Sequence, residues 1–188
     1  LLFSELSFTL APGELLQVSG ANGSGKTSLL RLLCGLSTPS AGEVRWRQAP
    51  VPNDDFRNQL LYLGHQAGVK EDLSPVENLN FANALMGIQS TEECARAVLD
   101  TIGLAGGTHL PSKYLSQGQQ RRVALARLFT TEAPLWVLDE PLTALDQAAV
   151  ELIQARIGAH LARQGCVILT THQNLQVPGV TPRRIDLN

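Results

Sequence analysis

Residues 20–27 read Gly-Ala-Asn-Gly-Ser-Gly-Lys-Thr, between the apolar run Leu15–Ser19 and the leucine-rich run Ser28–Leu33. The stretch fits G-x-x-x-x-G-K-[ST], the pattern of a phosphate-binding loop. Its glycines let consecutive backbone N–H groups turn inward around a polyphosphate, and the dipole of the following helix adds positive potential. Lys26 can reach the β- and γ-phosphates, and the Thr27 hydroxyl can ligate Mg²⁺. The context agrees, since a strand-like run precedes the loop and a helix-like run follows it. That order predicts an α/β fold with a parallel sheet.

Outward from the loop, "ELSFTL" alternates apolar and polar residues and predicts a first strand, turned by Pro12–Gly13 into a second over about Leu15–Ser19. Leu29, Leu30, Leu32 and Leu33 recur at helical spacing, and Gly35 is placed to end that helix. "GEVRWRQAPV" and "LLYLGHQ" predict further strands, the second delivering Gln66 at its end. Residues from about 69 to 110 change character. "SPVENLNFANALMG" starts with serine, proline and a glutamate three residues after the serine, a helix-start pattern, and "STEECARAVLDTIGL" starts likewise. Residues about 68–125 are therefore expected to form a small helical subdomain inserted in a single domain over 1–188. "PLWVLDEP", a helix over "ALDQAAVELIQARIGAHLARQG", the strand "CVILTTHQ" and the short "RRIDLN" complete the alternation.

Three downstream features carry chemistry. "LWVLDEP" is a buried strand ending in Asp139–Glu140, and a carboxylate at the carboxyl end of a strand beside a phosphate loop sits where Mg²⁺ and its waters are held. The adjacent Glu140 is placed to orient or activate an attacking water. Gln66 and His172 each close an apolar run and can point at a γ-phosphate. "LSQGQQRRVALAR", Leu115–Arg127, pairs Ser116 with Gln119 as a capping box. A serine and a glycine at a helix start also suit an anion, so the stretch admits both readings.

The chain has 188 residues, 44% of them hydrophobic and 17% charged, with a formal net charge of −2. That length suits one domain burying roughly 70% of its unfolded surface. The charge offers no overall positive field for nucleic acid or acidic lipid. Cys34, Cys94 and Cys166 are widely spaced and odd in number, which predicts buried thiols rather than a disulfide framework. No apolar run approaches the roughly 20 residues of a membrane-spanning helix. The first residues lack a basic region and a cleavage site, so no signal peptide is expected. His65, His109 and His160 lie in no ligand motif.

Taken in order, Gly20–Thr27, Gln66, Leu115–Gln119, Leu135–Glu140, Ala144-Leu145-Asp146 and His172 resemble the ATP-binding subunits of ABC transporters across nearly the whole chain. The family's "LSGGQ" reads "LSQGQ" here, with Gln117 in place of the first paired glycine. The resemblance implies a P-loop ATPase fold of the ABC type: a mostly parallel sheet core, N-terminal antiparallel strands and a helical subdomain. It implies ATP held by Gly20, Asn22, Gly23, Ser24, Gly25, Lys26, Thr27 and Ser28, with Mg²⁺ on Thr27, Gln66 and, through water, Asp139. Glu140, His172 and Gln66 would be catalytic. Two copies would pack head to tail as a homodimer, so that Ser116, Gly118 and Gln119 complete the ATP site of the partner and Asp146 lies at the interface.

Three longer strings, "LYLGHQAGVKEDLSPVENLNF", "LSQGQQRRVALARLFTTEAPLWVLDEPLTALD" and "VILTTHQNL", are similar to the haem exporter ATP-binding subunits of bacterial cytochrome c maturation. That likeness implies peripheral attachment to the cytoplasmic face of the bacterial inner membrane. Integral membrane permease subunits would be contacted through the segment after Gln66, with no nucleic-acid partner. The competing readings are the ATPase of another small ABC importer or exporter, and a soluble ABC ATPase not coupled to transport. The soluble kind usually carries paired cassettes or long coiled-coil insertions, which this chain lacks. A phosphate-loop kinase or GTPase fits less well, because the signature stretch and His172 argue against both, and no guanine-reading N-K-x-D string is present.

Overall fold

The computed structural model describes residues 2–173 and 175–187. The chain divides into two compact units. The first comprises Leu1–His65, Ala133–Pro141 and Ile157–Asn188, and the second Gln66–Glu132 and Leu142–Arg156.

The first unit is built on five strands: β1 (Leu15–Gly20), β4 (Leu60–Leu63), β5 (Leu135–Asp139), β6 (Cys166–Thr170) and β7 (Arg183–Leu187), in spatial order β4-β5-β6-β1-β7. Every pairing among them is parallel. Strands covered on both faces read as continuous apolar runs, and all five residues of β5 and of β6 are buried. Helix α1 (Lys26–Leu33) lays Leu29 and Leu30 on a core with Leu16, Val18, Phe56, Val137 and Ile168. Trp136, fully buried, stacks on His160 with ring centroids 3.8 Å apart and planes 8° from parallel. A Cβ at Gly165 would lie 2.1 Å from the His160 ring, so the chain turning into β6 must carry glycine there.

The register decides where the functional groups emerge. Asp139 pairs with Thr170, Val18 also pairs with Thr170, and Gly20 pairs with Leu187. The carboxyl ends of β1, β5 and β6 therefore share one edge of the sheet, where open α/β sheets bind ligands.

The antiparallel strands lie elsewhere than the alternation of residues 5–10 predicts. They are β2 (Arg45–Trp46) and β3 (Ala49–Pro50), joined through Arg47 and Gln48, both at positive φ. Residues 6–10 carry no strand. Their apolar side chains Leu6, Phe8 and Leu10 pack on the core as partly buried groups, and the Arg183 guanidinium donates to the Thr9 carbonyl at 2.8 Å. Packing without a ladder partner satisfies the alternation there. Helix α2 (Asp54–Asn58), which no periodicity announces, is capped by Asn53 accepting from Phe56 N at 2.8 Å.

The second unit is helical. α3 (Pro75–Leu85) starts at a complete Ser74–Glu77 capping box with proline in its first turn, and Thr91 caps α4 (Glu92–Thr101). A 3₁₀ turn at Ser112–Tyr114 leads into α5 (Gln117–Leu125), followed by α6 (Arg127–Thr130). Val76, Leu79, Ala95, Leu99, Ile102 and Val123 form its core. Helix α7 (Gln147–Ala162) begins in this unit and ends in the first. Cys34 and Cys166 are buried as expected, whereas Cys94 is exposed, because it lies on the outward side of α4. No helix among the described residues is long and apolar enough to cross a membrane.

Candidate active site

In the first unit the loop between β1 and α1 folds as its glycines predict. Gly20 sits at φ 147°, where a Cβ would come within 2.5 Å of both the Leu187 carbonyl and Ser24 Oγ. Gly25, the N-cap of α1, is left-handed at φ 99°, and no side chain caps the helix. The first N–H groups of α1 are thereby left facing the loop, the condition for anion binding. A Cβ at Gly23 would meet nothing within 4 Å, so the loop is open on that side. The Lys26 ammonium lies across the loop and donates to the carbonyls of Gly20 at 2.7 Å and Ala21 at 3.0 Å. Phe3 is partly buried against the core and packs beside Gly25.

Residues from the ends of β5 and β6 meet the start of α1 beside this loop. The Thr27 hydroxyl donates to Asp139 Oδ2 at 2.7 Å, and the Thr170 hydroxyl donates to Asp139 Oδ1 at 2.7 Å. Glu140 N in turn donates to Thr170 Oγ1 at 2.9 Å. Asp139 is 2% exposed, so both carboxylate oxygens are held by hydroxyls in a water-poor site. Glu140 sits at φ 50°, a left-handed conformation costing a non-glycine residue about 1–2 kcal/mol. Its carboxylate accepts from His172 N at 3.3 Å, and Oε1 is 3.5 Å from His172 Nε2. The Glu140 side chain is only 13% exposed while that of His172 is 59% exposed, so the acid is shielded and the imidazole reaches solvent.

The signature residues lie in the second unit. Ser116 N donates to Gln119 Oε1 at 2.9 Å and Gln119 N donates to Ser116 Oγ at 3.3 Å, so the capping box is present. In that arrangement Oγ accepts, and its own proton stays available for an anion; the two readings of the stretch are compatible. Ser116, Gln117 and Gln119 are exposed. A Cβ at Gly118 would lie 2.7 Å from the Ala144 carbonyl, so glycine is required for α5 to approach that segment. Asp146 caps α7, accepting from Ala149 N at 2.9 Å, and forms an ion pair with Arg122. The Ala149 N–H, and then the Arg122 charge, hold the Asp146 carboxyl below its usual range.

The structure thus brings Lys26, Thr27, Asp139, Glu140 and His172 together in the first unit. Ser116, Gly118, Gln119 and Asp146 fall in the second, as does Gln66, exposed in the bend after β4. Two participants, Thr170 and Arg122, belong to no motif in the sequence. Thr170 ends its apolar run two residues before His172, and a hydroxyl at that strand end was the available signal. Arg122 had none, because its partners Asp146, Ile102 and Gly103 are remote in sequence.

Among the described residues no group of three His, Cys, Asp or Glu side chains could hold a metal by itself. A hydroxyl and a carboxylate 2.7 Å apart are nevertheless hard oxygen donors of the kind Mg²⁺ takes, one or two from protein with the rest from phosphate and water. The residues fit that ion.

The family profile described as ABC transporter matches residues 3–143. The chain belongs to the ABC transporter ATP-binding family. As a member of that family it is an ATP-binding subunit whose hydrolysis serves transport. It is 54% identical over 189 residues to the cytochrome c biogenesis ATP-binding export protein CcmA of Nitrosomonas europaea, covering 100% of this chain and 89% of that protein. The protein of the same name from Escherichia coli K12 is 50% identical over 188 residues, at 99% and 89% coverage. Among solved structures, an ABC transporter ATP-binding protein from Pyrococcus furiosus superposes with TM-score 0.82 at 25% identity, covering 97% of this chain and 88% of that one. An ATP-binding cassette solved as a dimer in a post-hydrolysis state with ADP and Pi gives TM-score 0.81 at 27% identity, covering 96% and 83%.

Proposed function

We propose that this chain is the ATPase subunit of a haem exporter complex of cytochrome c biogenesis, working as a head-to-tail homodimer with two shared ATP sites. The observation that carries the hydrolytic part is the hydroxyl–carboxylate chain Thr27–Asp139–Thr170–Glu140, ending on His172 beside the phosphate loop. The relatives' names, and the 89% of each that this chain covers, support the assignment to export in cytochrome c biogenesis; the haem cargo rests on the likeness of the three sequence strings to haem exporter subunits.

On this reading the loop N–H groups and Lys26 hold the β- and γ-phosphates, with Gly20, Asn22, Gly23, Ser24, Gly25, Thr27 and Ser28 lining the cradle. Lys26 exchanges its two loop carbonyls for phosphate oxygens. Mg²⁺, when bound by Thr27, by Asp139 through water and by Gln66, supplies charge neutralisation between the phosphates. Glu140 accepts a proton from the attacking water, whose oxygen bonds to the γ-phosphorus as the bond to the ADP oxygen breaks. His172 donates to the γ-phosphate. Ser116, Gly118 and Gln119 of the second copy close the site from the other side, and charge-assisted hydrogen bonds of this kind are worth about 1.5–3 kcal/mol each. Asp146 couples the two sites across the interface. The helical unit is the family's helical subdomain, and the segment after Gln66 contacts the permease subunits, holding the chain on the cytoplasmic face of the inner membrane.

The test has two arms. Glu140→Gln is expected to lose nearly all turnover and accumulate an ATP-bound dimer on size exclusion; normal hydrolysis by this variant removes Glu140 as the base. A bacterium lacking its own cytochrome c biogenesis ATPase should regain haem-stained c-type cytochromes when it expresses this chain together with its membrane subunits. If turnover is intact and no cytochrome is restored, the haem assignment falls and the ATPase stands.

A further inference from the structure

The second unit contains a buried junction that none of the roles above uses. Asn78, in the first turn of α3, is 8% exposed and Ser112, in the 3₁₀ turn before the signature, is 0% exposed. Asn78 treats Lys70 as one strand treats another: Oδ1 accepts from Lys70 N at 2.8 Å and Nδ2 donates to Lys70 O at 3.0 Å. The same Nδ2 is also 3.1 Å from Leu73 O, Ser74 O and Ser112 Oγ. An amide has two protons, so these are shared among more acceptors than they can serve singly, and the side chain is held in one orientation from several sides.

Ser112 faces both ways. Its N–H donates to Leu73 O at 2.9 Å, and Lys113 N donates to Glu71 O at 2.9 Å, so the segment 71–73 and the 3₁₀ turn are laced by backbone as well. On its other side the Ser112 carbonyl accepts from Leu115 N at 3.1 Å and from Gln120 Nε2 at 3.0 Å. Leu115 immediately precedes Ser116, and Gln120 lies on α5 itself. A continuous hydrogen-bonded path, buried at Ser74, Asn78 and Ser112, therefore runs from Lys70–Ser74 to the start of the signature helix.

We infer that Asn78 is a positioning residue for the signature: it locks the segment Lys70–Ser74 to Ser112, so that Ser116 is presented at the angle the shared ATP site needs and moves only when that segment moves. The inference rests on the shared-site reading. It makes the segment after Gln66 the input and Ser116 the output of one rigid piece within this unit.

Size-exclusion titration with Mg-ATP in the Glu140→Gln background tests it, together with nucleotide binding to the monomer and amide hydrogen exchange. Asn78→Ala should leave monomer nucleotide affinity within about twofold, weaken ATP-driven dimerisation about tenfold or more, and raise exchange at both 70–74 and 112–120, as expected when buried acceptors lose their donor. Ser112→Ala, which keeps the three backbone acceptors of Asn78, should weaken dimerisation in the same direction by less. Ser116→Arg serves as the control that blocks the shared site. If Ser116→Arg abolishes dimerisation while Asn78→Ala and Ser112→Ala leave it at the parent level, the junction is only structural and the inference is overturned. If Ser116→Arg itself leaves dimerisation intact, the shared-site reading fails instead. Should Asn78→Ala not fold, Ser112→Ala decides, and unchanged dimerisation in that variant rejects the proposal.

Discussion

Individual residues in the first unit are tuned by their immediate donors. Asp139 has both oxygens occupied by threonine hydroxyls, one from the phosphate loop and one from β6. Thr170→Val removes the donor to Asp139 and the acceptor of Glu140 N together, at similar shape. We expect a loss of about 1–3 kcal/mol in thermal or denaturant unfolding, from the buried carboxylate left short of a partner, and a fall in kcat as Glu140 loses its anchor. Unchanged kcat would show that Thr170 only supports the fold. At the surface, Asp146 is held below its usual pKa by the Ala149 N–H and then by Arg122. A lowered folded-state pKa stabilises above the unfolded value of about 3.8 and is lost as pH falls through the folded value. Asp146→Asn should therefore lower stability near neutrality and flatten the acid limb of unfolding; an unaltered limb removes Asp146 from the acid response.

At the scale of elements, helix starts divide into two kinds. α3 and α5 start at complete capping boxes, while α1 starts at a left-handed glycine with no side-chain cap. The boxes give side-chain acceptors to backbone donors at the starts of α3 and α5, whereas the first N–H groups of α1 have no side-chain acceptor and face the glycine loop. Ser116→Ala should cost about 1 kcal/mol of thermal stability from the cap alone. If that variant loses stability but keeps full ATP-driven dimerisation, capping was the whole role of the serine. Gly118→Val would place a branched Cβ about the Ala144 carbonyl, which a Cβ already approaches to 2.7 Å. It should push α5 from the 142–146 segment and reduce dimerisation without changing nucleotide binding by the monomer, readable in the same two assays. Gly165→Ala is the structural counterpart, expected to cost about 1–3 kcal/mol by driving His160 off Trp136.

For the whole molecule, the proposed head-to-tail arrangement requires two copies to complete either shared site. A Lys26→Ala chain mixed with a Ser116→Arg chain should form ATP-dependent heterodimers although neither variant forms homodimers, because one composite site keeps both intact halves. A mixture no better than its parts rejects head-to-tail sharing. Thiol labelling reports the integrity of the fold in the same preparations. Burial pushes the Cys34 thiol up to about 12 and also raises that of Cys166, whereas Cys94 is exposed. The native chain should take up one equivalent of a thiolate-selective reagent at Cys94, with the other two reacting only after denaturation.

The local devices were legible in the residues alone: the phosphate loop, the acidic end of the apolar run over 135–139, the serine–glutamine box and the helical character of 69–110. Each is complete within a few consecutive residues, because loop conformation, capping and strand burial are decided by near neighbours. The alternation over residues 5–10 predicts a strand, whereas residues 6–10 are packed chain, since a ladder needs a partner that no local pattern specifies. What only the tertiary structure decided were the pairings between distant residues. Thr27 meets Asp139 across 112 positions, Thr170 meets Asp139 across 31, Asn78 meets Ser112 across 34 and Arg122 meets Asp146 across 24. Those meetings follow from strand register and helix packing, which sum over the whole core. Sequence determined which groups could do phosphate chemistry, and the fold determined which of them face one another.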